Sequence, residues 1–339
     1  MMTVQAGAGG TALEERLRSA FDQGELPGLH AVLVEHRGER IAELYFEGQD
    51  WSWAEDLGVR QFGPEELHDL RSVTKSIAGL LYGIALEEGK VPPLSAPIYR
   101  HLPDYADVFS KDARKKTITV ADLLTMKMGI EWNEAGGYVD RSNDEVGMEF
   151  ANDRYRYVLE KDMLEAPGEV WRYNGGAVAL IGKLIEDGTG RTLEAYAQER
   201  LFEPLAIRDF GWLKGGDSVD SPASGLRLTA PGLARIGRMI LDGGQYKGQR
   251  IVSEAWLAES FAPRADAFDG IRYGYLWWLD GMSEKPRWAA AFGNGGQRLS
   301  IDPANELVVV IFAGNYNAPE DWKIPVRVVL DFVLPAISD

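Results

Sequence analysis

Two hydrophobic periods alternate along this chain. Residues 12–21 carry apolar side chains at helical spacing and predict an amphipathic helix. Two strand-like runs follow, at 30–35 and 41–46, joined by the turn His36-Arg37-Gly38-Glu39. The most apolar helical stretch contains Ile77-Ala78-Gly79-Leu80-Leu81 and ends near Glu88-Gly89. Thr117-Ile118-Thr119-Val120, running into Ala121-Asp122-Leu123-Leu124, reads as a short extended piece opening a helix. Between 130 and 170, Gly, Asn, Asp and aromatic residues predict long loops broken by a helix over 155–164. Helices are predicted at 177–186, stopped by Asp187-Gly188, and at 231–241, stopped by Gly243-Gly244. A strand meander over 273–279, 287–292, 297–301 and 307–312 then precedes a final helix over 326–337. The pattern is α/β at both ends with a helical, loop-rich middle, and it contains no internal repeat.

Chemistry enters at the head of the apolar helix, with Ser72-Val73-Thr74-Lys75. On a helix, positions i and i+3 share a face, so the Lys75 amine sits beside the Ser72 hydroxyl. A serine hydroxyl is a weak nucleophile until a base takes its proton. Burial disfavours an ammonium, so a lysine in apolar surroundings is expected to be neutral and able to act as that base. The alternative is a helix cap followed by a solvated lysine. The apolar run behind Lys75 argues against solvation, and this is the only Ser-x-x-Lys in the chain.

Composition narrows the field. The 339 residues suffice for one large domain or two intimate lobes, and 45% apolar with 26% charged residues describes an ordinary globular protein. A net charge of −16 argues against nucleic acid and anionic membrane as partners. The absence of cysteine excludes disulfides, thiolate catalysis and thiolate-ligated metals. Residues 1–11 read as a flexible tail without the basic-then-apolar pattern of a signal peptide, and the expected location is cytoplasmic.

Other catalytic schemes find little support. The four histidines, His30, His36, His68 and His101, all fall in the first third, and no G-x-S-x-G elbow occurs. No paired-histidine spacing or EF-hand loop supports a metal, and no cofactor pattern is present. A serine hydrolase without histidine needs another proton-handling group. Tyr173, in the turn Trp171-Arg172-Tyr173-Asn174-Gly175-Gly176, is placed to serve, or is a half-buried aromatic where a helix begins. The stretch Phe292-Gly293-Asn294-Gly295-Gly296-Gln297 offers bare backbone for an oxyanion site, or an ordinary hairpin turn.

Taken in order, Ser72-Val73-Thr74-Lys75, Tyr173-Asn174-Gly175 and Asn294-Gly295-Gly296 resemble the three motifs of the serine β-lactamase and penicillin-binding protein superfamily. The resemblance is to its class C-like branch of esterases, amidases and D-peptidases. Leu124-Thr125-Met126, Gly129-Ile130-Glu131-Trp132 and Trp171-Arg172-Tyr173-Asn174 particularly resemble the nylon-oligomer amide hydrolases. Supporting likeness lies in residues 118–125 and 224–229.

The resemblance implies an antiparallel sheet flanked by helices, built from residues 12–90 and 226–339, with a mostly helical lobe over 91–225. It also implies two-step acyl transfer on a small-molecule ester or amide without a cofactor. Ser72 would be the nucleophile, Lys75 its neutral base, and Tyr173 the proton shuttle. The N–H groups of Ser72 and Gln297 would hold the oxyanion. Asn174, Asn294, Gly295 and Gly296 would line the substrate, with Trp132, Tyr138, Trp171 and Trp277 as candidates for an apolar acyl pocket. Two departures bear on substrate. The asparagine of the second motif stands one place early, with Gly175 in the third position, and the basic residue of the third motif is replaced by Asn294. The first leaves an amide that would contact substrate missing or differently placed, and the second favours neutral esters or amides over β-lactams. An acyltransferase, a true β-lactamase or D-aminopeptidase, and a non-catalytic binding protein are the alternatives.

Overall fold

The computed structural model describes residues 8–138, 140–268 and 270–338. An eight-stranded, wholly antiparallel sheet takes strands from both chain ends: β1 (Leu29–His36), β2 (Glu39–Tyr45), β3 (Ala265–Phe268), β4 (Ile271–Tyr273), β5 (Trp278–Asp280), β6 (Ala289–Gly293), β7 (Gln297–Asp302) and β8 (Leu307–Ala313). Their spatial order is β3-β4-β5-β6-β7-β8-β1-β2, so the first strand pairs with the last. The meander expected at the C-terminal end is present, except that 273–279 divides into two strands, β4 and β5, which pair through Tyr273 and Trp278.

The central strands are apolar throughout because both faces are covered. On β8, Val308, Val310 and Phe312 join the larger core, while Leu307, Val309 and Ile311 join the smaller one on the opposite face. The smaller core is closed by α1 (Ala8–Asp22) and the C-terminal helical segment from Lys323 to Ser338. Helix α1 begins at Ala8, so the tail expected over 1–11 is already helical there; residues 1–7 lie outside the described residues. The larger core is filled by α2 (Val73–Glu87), buried at every position from Val73 to Ala85, including the polar Thr74, Lys75 and Ser76 of its first turn.

Between the two sets of strands the chain is largely helical. The loop-rich stretch over 130–170 holds a helix that the pattern did not reveal, α3 (Asp144–Glu149), and the expected helix over 155–164 is the shorter segment Arg154–Leu159. The longest helix of this region is α4 (Gly175–Thr189), which packs against α2. Helix α5 (Ala230–Leu241) returns the chain to the sheet, against β8 and β7. Among the described residues no helix is long and apolar enough to cross a membrane.

Candidate active site

The strand His68–Asp69 pairs with Leu226–Leu228 and delivers the chain to the head of α2. Arg71 there takes left-handed backbone, φ 49°, a conformation that costs a non-glycine residue about 1 kcal/mol or more and must be held by its surroundings. The holding groups are visible. Its guanidinium donates to the Trp53 carbonyl at 2.9 Å and lies over the Tyr316 ring at 4.5 Å. Ser72 follows as the N-cap residue of α2, yet its side chain caps nothing. One turn on, Lys75 is almost completely buried, and its Nζ donates to Ser72 Oγ at 3.0 Å.

Two further acceptors complete the lysine. Nζ donates to the Ala223 carbonyl at 3.0 Å and to Glu145 Oε2 at 2.7 Å. Glu145 comes from α3, where Asn143 accepts the N–H groups of Glu145 and Val146 as an N-cap. Beside it, Glu134 Oε1 accepts from the Trp132 indole and the Gly175 N–H, at 2.6 Å each, and Oε2 accepts from the Tyr138 hydroxyl at 3.1 Å.

These carboxylates reverse the expectation for Lys75. Burial works to lower its pKa, but the charges of Glu145 and Glu134 outweigh that and hold it above its ordinary value, so the resting lysine is an ammonium. Burial and the nearby Glu145 push Glu134 the other way for a carboxyl, up to about 7.

Tyr173 closes the group. Lys75 Nζ sits 5.1 Å from its ring centroid, and the ring stacks on Trp278 at 5.4 Å. Burial, and then the charge of Glu134, raises the Tyr173 hydroxyl well above its ordinary value, while a hydrogen bond with Ser72 works to lower it, so the phenol is neutral at rest. Trp171, Tyr273, Trp278 and Phe292 form a contiguous aromatic wall beside it.

The remaining expectations divide. Asn174 does not face a substrate: its side chain accepts from the Ala177 N–H and caps α4. Trp132 is buried, holding Glu134 and packing where a side chain on Gly176 would go. Trp277 is fully buried in the core against Phe261, and its neighbour Trp278 takes the place at the wall. Trp171 does join the wall, whereas the Tyr138 hydroxyl is engaged with Glu134.

Just before the third motif, Gly293 meets Leu70-Arg71, the strap of chain that leads into Ser72. A Cβ there would lie 2.4 Å from the Leu70 carbonyl oxygen and 3.2 Å from Arg71 Cβ, so only glycine allows the approach. Gly295 and Gly296 turn the chain with φ of 90° and 96°, Gly295 N–H donates to Asp321, and Asn294 Oδ1 accepts from the Asn317 N–H. The Gln297 side chain turns away and pairs with the Ala313 main chain. Arg298 lies across Phe292, 4.4 Å from its ring centroid.

The sequence reading passed over Glu134 and Glu145. Gly175 was the available signal, because a Cβ at that position would lie 2.4 Å from Glu145 Oε2. The space that a side chain in the third position of the second motif would occupy is filled by a carboxylate arriving from elsewhere in the chain.

One cluster answers to a metal in geometry. Oxygen or nitrogen atoms of His30, Asp50 and His68 lie within 4.8 Å of one another, all buried, although no sequence spacing paired the histidines. Its electrostatics do not ask for a cation. His30 and His68 bond each other at 2.9 Å, Asp69 pairs with Arg71 and Arg227, and Asp50, with neither carboxylate oxygen hydrogen-bonded, lies 3.9 Å from Arg227. A buried dication would leave that network with excess positive charge.

Residues 13–323 match the family described as Beta-lactamase. The chain is 28% identical over 331 residues to the 6-aminohexanoate-dimer hydrolase of Paenarthrobacter ureafaciens, covering 88% of this chain and 76% of that one. It is 29% identical over 213 residues to esterase EstB of Burkholderia gladioli, covering 60% of this chain and 52% of the esterase. Among solved structures it is similar to EstCE1, a hydrolase with promiscuous acyltransferase activity, with a TM-score of 0.75 at 15% identity over 98% of both chains.

Proposed function

The chain belongs to the beta-lactamase family, and on that premise we propose that it is a serine hydrolase that cleaves a small-molecule ester or amide through an acyl-enzyme on Ser72. The observation that carries this reading is the contact of Ser72 Oγ with the Nζ of a buried lysine one helical turn away. In the first step Lys75 gives up a proton, Ser72 attacks the substrate carbonyl, and Lys75 takes the hydroxyl proton in its place. Tyr173, neutral and beside both, gives a proton to the leaving group and then orders the deacylating water.

Donors for the oxyanion are the Ser72 N–H and a second N–H from the turn after β6. Gly293 is the residue of that turn that abuts the strap, so the second donor is assigned to Asn294 rather than Gln297. The relatives named a 6-aminohexanoate-dimer hydrolase and an esterase support an amide or ester as substrate. Charge narrows it. Two carboxylates face one ammonium beside Ser72, and the third motif carries no basic side chain, so nothing there rewards a substrate carboxylate close to the scissile bond. Neutral acyl groups packed on the aromatic wall fit better than β-lactams.

The test is the intact mass of the protein after exposure to a fluorophosphonate, beside Ser72→Ala. One adduct on the parent and none on the variant is the expected result. An unlabelled parent, or equal labelling of the variant, refutes the assignment.

A further inference from the structure

We propose that Glu145 accepts the proton that Lys75 must shed before it can activate Ser72, making the Lys75–Glu145 pair a proton relay. This rests on the reading of Ser72 as the nucleophile.

The argument begins with the lysine's hydrogens. An ammonium has three and no lone pair. Nζ has three acceptors within reach: Ser72 Oγ at 3.0 Å, the Ala223 carbonyl at 3.0 Å and Glu145 Oε2 at 2.7 Å. Each hydrogen is therefore committed, and Ser72 Oγ is an acceptor at rest. Lys75 holds the hydroxyl oxygen in place without being able to take its proton. A main-chain carbonyl cannot relieve it, whereas a carboxylate can, and Glu145 makes the shortest of the three contacts.

The step balances without solvent. One Nζ–H bond breaks as a Glu145 O–H bond forms, leaving a lone pair on Nζ. The Ser72 O–H bond then breaks as Oγ bonds the substrate carbonyl carbon, and a new Nζ–H bond forms. Lys75 is again an ammonium, and the negative charge has moved from Glu145 to the oxyanion.

A second observation shows that the carboxylate's position is built rather than incidental. Gly175 leaves open the volume that Glu145 uses; a Cβ there would lie 2.4 Å from its Oε2 and 3.0 Å from its Cδ. The groups facing Glu145 are Lys75 from α2, Glu134 and Tyr138 from the loop before α3, Tyr173 from the segment before α4, and Glu149 from α3 itself. Of these, Glu134 and Glu149 are both pushed by burial up to about 7 and change charge near neutrality.

The test follows Ser72 labelling by a fluorophosphonate, by intact mass, from pH about 5 to about 10 in the parent and in Glu145→Gln. Fluoride leaves without protonation, so the rate reports activation of Ser72 alone. In the parent the rate should level off above neutrality, because Lys75 sheds its proton within the pair and not to solvent. In Glu145→Gln it should be about 100-fold lower near pH 7 and climb steadily toward pH 10 as Lys75 loses its proton to solvent instead. A Glu145→Gln protein with the parent's rate and profile overturns the relay. So does a parent whose rate keeps climbing to pH 10, a result that needs no folded variant. A parent unlabelled at every pH overturns the nucleophile reading and the relay with it.

Discussion

Acidification from pH about 7.5 to about 5 should act on two buried groups with opposite sign, and the structure sets both magnitudes. Burial pushes His30 down from 6.5 to about 4. Between those values the unfolded chain binds a proton that the folded protein refuses, so stability present above pH 6.5 is lost as the pH falls. At pH about 5 the loss is about 2 kcal/mol. Burial pushes Glu149 up from 4.5 to about 7, against the lowering effects of Arg154 and of the Ser221 hydroxyl that donates to it. Here the folded protein binds the proton first, and stability rises by about 2 kcal/mol over the same interval. The two oppose each other in the parent, where Glu134, also raised to about 7, adds a rise of its own, so the parent's curve alone does not separate them. Urea unfolding of the parent, His30→Asn and Glu149→Gln at both pH values separates them. The stability of the parent relative to His30→Asn should shrink by about 2 kcal/mol on acidification, and relative to Glu149→Gln should grow by about as much. His68, lowered by burial and then by His30, to which it is bonded, is partly released in His30→Asn, so it adds to the first difference with the same sign and drops out only of the second. Two differences that do not move with pH, or that move in the same direction, would refute the reasoning.

Two further predictions concern the site. Tyr173→Phe should slow ester turnover by about 100-fold or more while leaving fluorophosphonate labelling much less affected, because only the ester's leaving group needs the phenol proton; equal losses in both assays would assign Tyr173 to nucleophile activation. Gly293→Ala drives a Cβ to 2.4 Å from the Leu70 carbonyl oxygen, so the strap before Ser72 and the end of β6 must part. Labelling should fall sharply with a stability loss of about 1–3 kcal/mol seen by thermal unfolding, and unchanged labelling would show that the turn after β6 does not need to touch the strap.

The parts of this protein legible in its sequence are those governed by local periodicity. Helices α2, α4 and α5 and the strands of the meander follow from the spacing of apolar residues, because each buries a continuous face. Helix α3 escaped because its six residues, Asp144 to Glu149, present no apolar stripe; an N-cap asparagine and a carboxylate used by another element define it instead. The same division runs through the site. Ser72 and Lys75 are one turn apart on one helix, so their contact is a local fact. The charge state of Lys75 is not, since it depends on Glu134 and Glu145, brought across about 60 or 70 positions of chain by the fold. A buried lysine beside a serine reads as a neutral base only while its other neighbours are unknown. The glycine at 175 shows what such a gap is worth. A missing side chain in a familiar motif marks free volume, and free volume inside a packed site must be filled. The sequence can announce the space, while only the fold shows that a carboxylate has come to fill it and has thereby changed the protonation that the motif would otherwise imply.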